Sequence, residues 1–410
     1  MRSAITSQRN GQALDEIAEQ SETARDISRA RATRAVLEID LAAIRHNFGI
    51  ISRLSTGAKV MAVVKGDAYG LGARAICRAL ASCGAPAFAV DSVAEGIDLR
   101  AGRITEPIMV IDGDTPENAD LAIRYNLMPG VAHEELLFAY DQAAAKQATI
   151  HPVWLVANVG FNRSGYSEIE RFTRFALRAR ECGNIKVKAI YAHLTNSNGD
   201  AQITLGQINA FRQAATKAKE IFGPELETSI FASHGLVRWA KDFPTDWVRP
   251  GILLYGEHAF VERLAGPETA TIVGTLRSAV RLRSRITQLL EFNREEGVGY
   301  GQKYKTRPGQ RLATVATGFG SGYPLGSKGL HGLVRGQQAP LFGDPGMDAL
   351  QLDVTNIPDA QLYDWATLIG TDGDRHISVH GLARDAGITP YELLSRLRCQ
   401  RLYLDQEITS

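Results

Sequence analysis

The chain has 410 residues, with 46 Lys plus Arg against 45 Asp plus Glu, a formal net charge of +1 and 44% apolar residues. So even a balance gives no chain-wide attraction to nucleic acid or to an anionic membrane, partners usually met by a basic excess. The four cysteines, Cys77, Cys83, Cys182 and Cys399, are too scattered for a zinc knuckle or redox pair and too few to staple a chain this long, so a reducing compartment is expected and no metal site is called for.

A length beyond about 250–300 residues calls for two domains, or one domain with an appendage. Residues 1–34 are polar and hold no apolar run of the kind an export signal needs. Asp15, Glu16, Glu19, Glu22 and Asp26 argue against an organellar transit peptide, since such peptides are poor in acids. The expectation is a loosely ordered or weakly helical extension. No later stretch approaches the roughly 20 apolar residues that cross a bilayer, so a cytoplasmic protein is expected.

From residue 36 the pattern changes. VLEIDL alternates apolar and polar positions as a half-buried strand does, and LAAIRHNFGIISRL after it has helical spacing. Short apolar, β-branched runs then recur at 59–64, 87–90, 107–111, 128–131, 151–157, 187–191, 228–231 and 247–254. Helical stretches such as GARAICRALASCG, SVAEGIDLRAG and LGQINAFRQAATKAKEIFG separate most of them, several ending in glycine. About eight β–α units in roughly 200 residues is the count of a (β/α)₈ TIM-type barrel, placed at 35–257. A doubly wound open sheet is the alternative, because periodicity does not show that a sheet closes. Such a sheet would carry a glycine-rich phosphate fingerprint after its first strand, and KGDAYGLG does not fit one.

Past residue 257, TIVGTLRSAVRLRSRITQLLEF, RLATVAT, GLVRG, APLFG, LQLDVT and ATLIG read as strands separated by Gly, Pro and Asp turns. Residues 258–410 are therefore expected to form a mainly β C-terminal domain, with which strand 36–41 could pair. Two helical pieces, ISVHGLARDAG and TPYELLSRLR, stand near the end, the second with Pro390 at its start.

Barrel enzymes work at the C-terminal ends of their strands, so the residues just after each apolar run carry the interest. Lys65 ends the first run, Arg163 follows the fifth, His193 the sixth and Ser233 the seventh, while Arg249 lies in the eighth. A lysine there is either a snorkelling surface residue or an amine made nucleophilic by partial desolvation. Gly66, Gly70 and Gly72 leave room for a ligand, and Ser233 with the Gly251 backbone supplies donors where barrels commonly bind phosphate. Lysine plus a phosphate site points to a Schiff base with pyridoxal phosphate. Arg163 has two readings, a surface pair with Glu168 or Glu170 or a clamp on a substrate carboxylate. His193 is either a satisfied core residue or a ring stacked on a cofactor. Arg249, before Pro250 and Gly251, is expected to point into the barrel mouth. Composition alone gives Tyr300, Met347 and Asp348 no role.

The segments VLEIDLAAIRHN, AVVKGDAYGLG, GFNRSGY, AHLTNS, VRPGILLYG, GVGYG, GFGSGYP, GMD, LDVT and LIG, in that order, resemble the alanine racemases. The resemblance runs from residue 35 to about 400, with VKGDAYG its most specific piece. It implies an enzyme that racemises alanine with pyridoxal phosphate, supplying D-alanine for peptidoglycan. By the same resemblance, Lys65 would carry the cofactor and act as base on one face of the substrate, with Tyr300 as acid or base on the other. Racemisation requires two such opposed groups, because a proton leaves one face of a planar carbanion and returns to the other. Arg249 would face the pyridine nitrogen and His193 would lie beside the ring. Tyr69, Ser233, Gly251 and Ile252 would hold the phosphate, and Arg163, with Met347 and Asp348 of the GMD segment, the small amino-acid substrate. Tyr300 and the GMD segment would reach the barrel of a second copy, making a homodimer with composite sites.

Three positions depart from the family pattern: Val156 stands where a lysine commonly orients the carboxylate arginine, Phe319 replaces a tyrosine, and Cys399 lies near the place of another. They keep open a serine or broad-specificity racemase. A fold-related decarboxylase would use an acidic partner for the ring nitrogen in place of Arg249. A non-catalytic pyridoxal-phosphate protein would lack the second domain. A barrel enzyme without the cofactor is the remaining alternative.

Overall fold

The computed structural model describes residues 25–27, 29–111, 113–258, 266–325 and 329–405. The expected N-terminal extension falls mostly outside the described residues; of it, 25–27 and 29–32 are helical. The described residues form two compact units, Asp40–Ala279 and Val280–Leu404, the latter joined by the described residues that precede Asp40.

In the first unit, strands β2 (Lys59–Val63), β3 (Ala87–Val90), β4 (Ile108–Val110), β5 (Leu127–Val131), β6 (His151–Val156), β7 (Ile185–Tyr191), β8 (Glu227–Ala232) and β9 (Trp247–Arg249) close into one barrel. All neighbours run parallel, and closure is made by Lys59 opposite Trp247 and Val60 opposite Val248. The open-sheet alternative is thereby excluded. These strands read as unbroken apolar runs because both faces are covered, one by helices and one by the barrel interior. The interior is filled by mixing sizes: Trp154, Tyr191 and Trp247 beside Ala87, Ala89 and Ala189. The three large rings meet edge to face, Trp154 lying 6.2 Å from Tyr191 and 5.9 Å from Trp247. Gly130 is required here, since a Cβ on it would stand 2.3 Å from the Tyr191 hydroxyl.

Two sequence expectations need correction. The eighth run, 247–254, is strand only to Arg249. Pro250 has no N–H to continue a ladder, and Ile252–Tyr255 coils into a 3₁₀ turn. The run from 271, expected as strand, begins inside a helix, Pro267–Val273, which proline starts well at the first position; strand begins at Val280.

The second unit is built on β10 (Val280–Phe292), whose first half pairs with β1 (Ala35–Asp40) and with Trp365–Asp372, and whose second half pairs with Gln310–Val315. A register shift at Ile286/Gln288 puts an extra residue into β10 between these partners, and another, opposite Leu282/Arg283, puts one into Trp365–Asp372. Val280, Leu282, Ser284 and Ile286 are buried and alternate with the half-buried Arg281, Arg283 and Arg285. Arg281 and Arg283 both bond the buried carboxylate of Glu38 on β1, so that its charge is matched where water is excluded. No helix among the described residues is long and apolar enough to cross a membrane.

Candidate active site

At the end of β2 the chain turns in an unusual way. Gly66, Asp67, Ala68 and Tyr69 all have positive φ, 63°, 53°, 55° and 57°, so the backbone makes one left-handed turn. Such a conformation costs roughly 1–2 kcal/mol for each residue that carries a Cβ. The fold holds it with Ala68 N–H on the Val64 carbonyl, Gly70 N–H on the Gly66 carbonyl, and the Asp67 carboxylate accepting from Ala73 N at 2.7 Å. Strain kept by several bonds at a strand end marks a place where side-chain direction matters.

Lys65 opens this turn. Its Nζ lies 3.0 Å from Asp91 Oδ1, the first residue after β3, and the pair is partly exposed. Glu95 joins the two loops by accepting from Gly66 N–H at 2.8 Å and from Asp91 N–H at 2.9 Å. Neither carboxylate was singled out from sequence, although Asp91 follows an apolar run as directly as Lys65 does.

Tyr69 projects from the turn to Gly251: a Cβ on Gly251 would stand 2.1 Å from its hydroxyl. Its ring packs edge to face on the buried Tyr255, centroids 5.2 Å apart. Gly251 N–H in turn donates to the Ser233 hydroxyl at 3.0 Å, and Ser233 starts the helix Ser233–Trp239. Two hydroxyls and the backbone opening the Ile252–Tyr255 turn thus meet around one glycine. Gly251→Ala is expected to weaken cofactor binding roughly five- to 150-fold, the range that an overpacking cost of about 1–3 kcal/mol gives when it falls on the bound state. Titrating the apoprotein with pyridoxal phosphate, followed by visible absorbance, reads this directly; an unchanged dissociation constant would count against the cradle.

Arg249 shares a face with Trp247 two residues before it, which directs it into the barrel. It is 4% exposed. Its guanidinium donates to the Ser229 hydroxyl and to the Ala192 carbonyl, the latter at 2.6 Å, and lies 4.9 Å from the centroid of Tyr191. A planar cation held at three points cannot turn, and it cannot lose its proton at ordinary pH.

Arg163 and His193 line one small hollow with Val156, Ala157, Asn158, Phe161, Ser164 and Tyr191. Glu168, one of the surface partners considered for Arg163, pairs with Arg171 at 3.4 Å. The Arg163 guanidinium lies over the Phe161 ring, while His193 meets the same ring edge to face. Gln207 braces the loop after β7 by accepting from Thr195 N–H and from its hydroxyl. The barrel therefore gathers Lys65, Tyr69, Arg163, His193, Ser233, Arg249, Gly251 and Ile252 at its C-terminal end.

Tyr300, Met347 and Asp348 belong to the second unit. Tyr300 is 89% exposed and sits between two left-handed glycines, Gly299 and Gly301. Met347, 63% exposed, stands in a loop locked to its neighbour: Phe319 N–H donates to the Gly346 carbonyl and Gly320 N–H to the Met347 carbonyl. Cys399 lies beneath, its thiol pushed up to about 11 by burial, with Ser321 opposing the shift by a hydrogen bond.

Burial also lowers His234, next to Ser233, to about 4, and it lowers His151 as well. An unfolded histidine takes a proton near pH 6.5, whereas folded His234 refuses it until about pH 4. Stability contributed this way is present above pH 6.5 and is lost as pH falls through that window, at up to about 1.4 kcal/mol per pH unit before discounting for solvent access. Denaturant midpoints measured from pH 7 to about 4.5 should therefore fall less steeply in His234→Gln than in the parent; identical slopes would refute the assignment.

The sequence and the fold are both similar to those of known proteins. Family models described as alanine racemase, N-terminal domain, and alanine racemase, C-terminal domain, match residues 39–259 and 279–403. The catabolic alanine racemase of Pseudomonas aeruginosa is 34% identical over 377 residues, spanning 91% of this chain and 99% of that protein. Alanine racemase of Streptomyces coelicolor superposes with a TM-score of 0.83 at 26% identity, covering 92% of this chain and 100% of that one. That of Bartonella henselae, solved with covalently bound pyridoxal phosphate, superposes at 0.78 with 25% identity, covering 90% of this chain and 99% of its own.

Proposed function

The chain belongs to the alanine racemase family, and from that premise we propose how its own residues divide the work of racemising alanine. One observation carries the proposal: a lysine, a hydroxyl-and-amide cradle closed by a glycine, and an immobilised arginine converge at the C-terminal end of one closed barrel. That donor set fits pyridoxal phosphate. Tyr69, Ser233, Gly251 and Ile252 would take its phosphate, Arg249 its ring nitrogen and His193 the side of its ring, with Lys65 as the covalent point of attachment. When bound, the group supplies the conjugated system that draws away the electron pair left at the substrate Cα.

The remaining work falls to this chain. Arg249 presents only N–H donors, so nothing on the protein delivers a proton to the ring nitrogen. Withholding that proton moderates electron withdrawal, which favours return of a proton to Cα over side reactions. Lys65 Nζ removes or returns the Cα proton on one face and the Tyr300 hydroxyl does so on the other. Arg163 holds the substrate carboxylate, assisted by Met347 and Asp348. The 89% exposure of Tyr300 supports its use by a second copy of the chain, giving a homodimer with composite sites. A cytoplasmic enzyme feeding D-alanine to peptidoglycan completes the reading.

Incubation with L-alanine, L-serine and L-ornithine in deuterated water tests it. Deuterium at Cα of both alanine enantiomers is the expected result, and its absence would end the racemase reading. Stronger incorporation into serine than alanine would shift the substrate, and carbon dioxide release from ornithine would replace racemisation by decarboxylation.

A further inference from the structure

The small hollow beside Arg163 has an aromatic wall. The Arg163 guanidinium carbon stands 4.5 Å from the centroid of Phe161, and His193 meets that ring edge to face at 5.1 Å with 71° between planes. Their loop is set by Asn158, whose Oδ1 accepts from Gly160 N–H at 3.0 Å and from Asn162 N–H at 3.1 Å, while Asn162 takes a left-handed φ of 58°. That bend brings residues 161 and 163 together. Val156, at the end of β6 and 3% exposed, gives the hollow an apolar floor.

We propose that Phe161 is a positioning residue for Arg163, fixing through a cation–π contact the direction from which the guanidinium meets the substrate carboxylate; the proposal rests on Arg163 being the carboxylate ligand. An aromatic face is negative and attracts a guanidinium laid on it. An unrestrained arginine side chain holds about 2 kcal/mol of rotamer entropy, and holding the guanidinium over a ring removes part of that cost before the substrate arrives. The edge contact with His193 couples the platform to the side of the site assigned to the cofactor ring, so carboxylate and ring are held by one aromatic unit. A contact that orients the substrate equally before and during reaction should appear mainly in KM.

The test compares Phe161→Leu, Phe161→Met and Phe161→Tyr holoenzymes. KM and kcat are measured for both alanine enantiomers, and the dissociation constant of propionate, a carboxylate without an amine, is measured by calorimetry. Phe161→Leu is expected to raise KM and to weaken propionate in parallel, roughly three- to thirtyfold, with a smaller fall in kcat. Phe161→Met, which keeps volume but no ring, should behave like Phe161→Leu, whereas Phe161→Tyr should restore most of both constants. Equal defects in all three variants, or no change in propionate binding, would overturn the proposal, as would a parent enzyme that racemises alanine without binding propionate. A parent that exchanges no Cα proton on any amino acid would instead overturn the racemase reading, and the propionate comparison would still decide the role of Phe161.

Discussion

Replacing Lys65 by alanine is expected to abolish racemisation in both directions, by about 10⁴-fold or more, because one side chain is asked to do two things. It anchors the cofactor covalently and it exchanges a proton with Cα on one face. A positioned acid–base group alone contributes roughly 10²–10⁴-fold, and losing the anchor adds to that. The structure supports an amine kept in place: Asp91 bonds Nζ at 3.0 Å, and Glu95 ties the loops carrying both residues together. Borohydride reduction of the parent enzyme followed by peptide mapping should find the pyridoxyl group on Lys65. An adduct elsewhere, or substantial racemisation by Lys65→Ala, would remove the residue from its role.

Tyr300→Phe is expected to lower interconversion of the enantiomers by about 10²–10⁴-fold while leaving solvent exchange alive on one of them. The asymmetry follows from a two-sided mechanism. Lys65 can still take a proton from the enantiomer whose Cα–H faces it, trade it with water and return it to the same face. Deuterium then enters that enantiomer without inversion. The other enantiomer has its Cα–H toward the missing hydroxyl and stays unlabelled. Following label and chirality together by mass spectrometry and chiral chromatography separates the two processes. Full interconversion by Tyr300→Phe, or an equal loss of exchange from both enantiomers, would contradict the assignment. Removal of one exposed hydroxyl touches no buried packing, so a folding defect does not confuse the result.

How far the sequence reached differs from residue to residue. The left-handed turn from Gly66 to Tyr69 was visible only as a glycine-rich stretch, because three of its four residues carry a Cβ and would ordinarily avoid positive φ. Its stability comes from Asp67, Val64 and Gly70 acting together, and composition does not register such cooperation. Asp91 obeys the rule that identifies Lys65, but its charge gains meaning only when parallel pairing sets β3 beside β2. Arg249 was expected in the barrel mouth. Its bonds to Ser229 and Ala192, and its place over Tyr191, come from three strands whose register a single sequence does not display. The run at 271–273 looked like strand from its β-branched residues and folds as helix behind Pro267. Propensity is the weaker signal where proline supplies a helix start.

What the amino-acid order determined by itself was local and periodic: the number of β–α units, the shift at the chain's second part to turn-separated strands, and the polar or charged residue within two positions of the end of most apolar runs. These are properties of neighbours along the chain, and side-chain spacing records them. Tertiary structure alone decided closure of the eight strands, the meeting of Tyr69, Ser233 and Gly251 around one glycine, and the placing of Arg163 over Phe161 against His193. Those contacts, apart from the short step between residues 161 and 163, join positions from 18 (Ser233 and Gly251) to 188 (Lys59 and Trp247) residues apart. Their geometry depends on strand register and barrel packing, which the whole chain sets at once and no window of sequence contains.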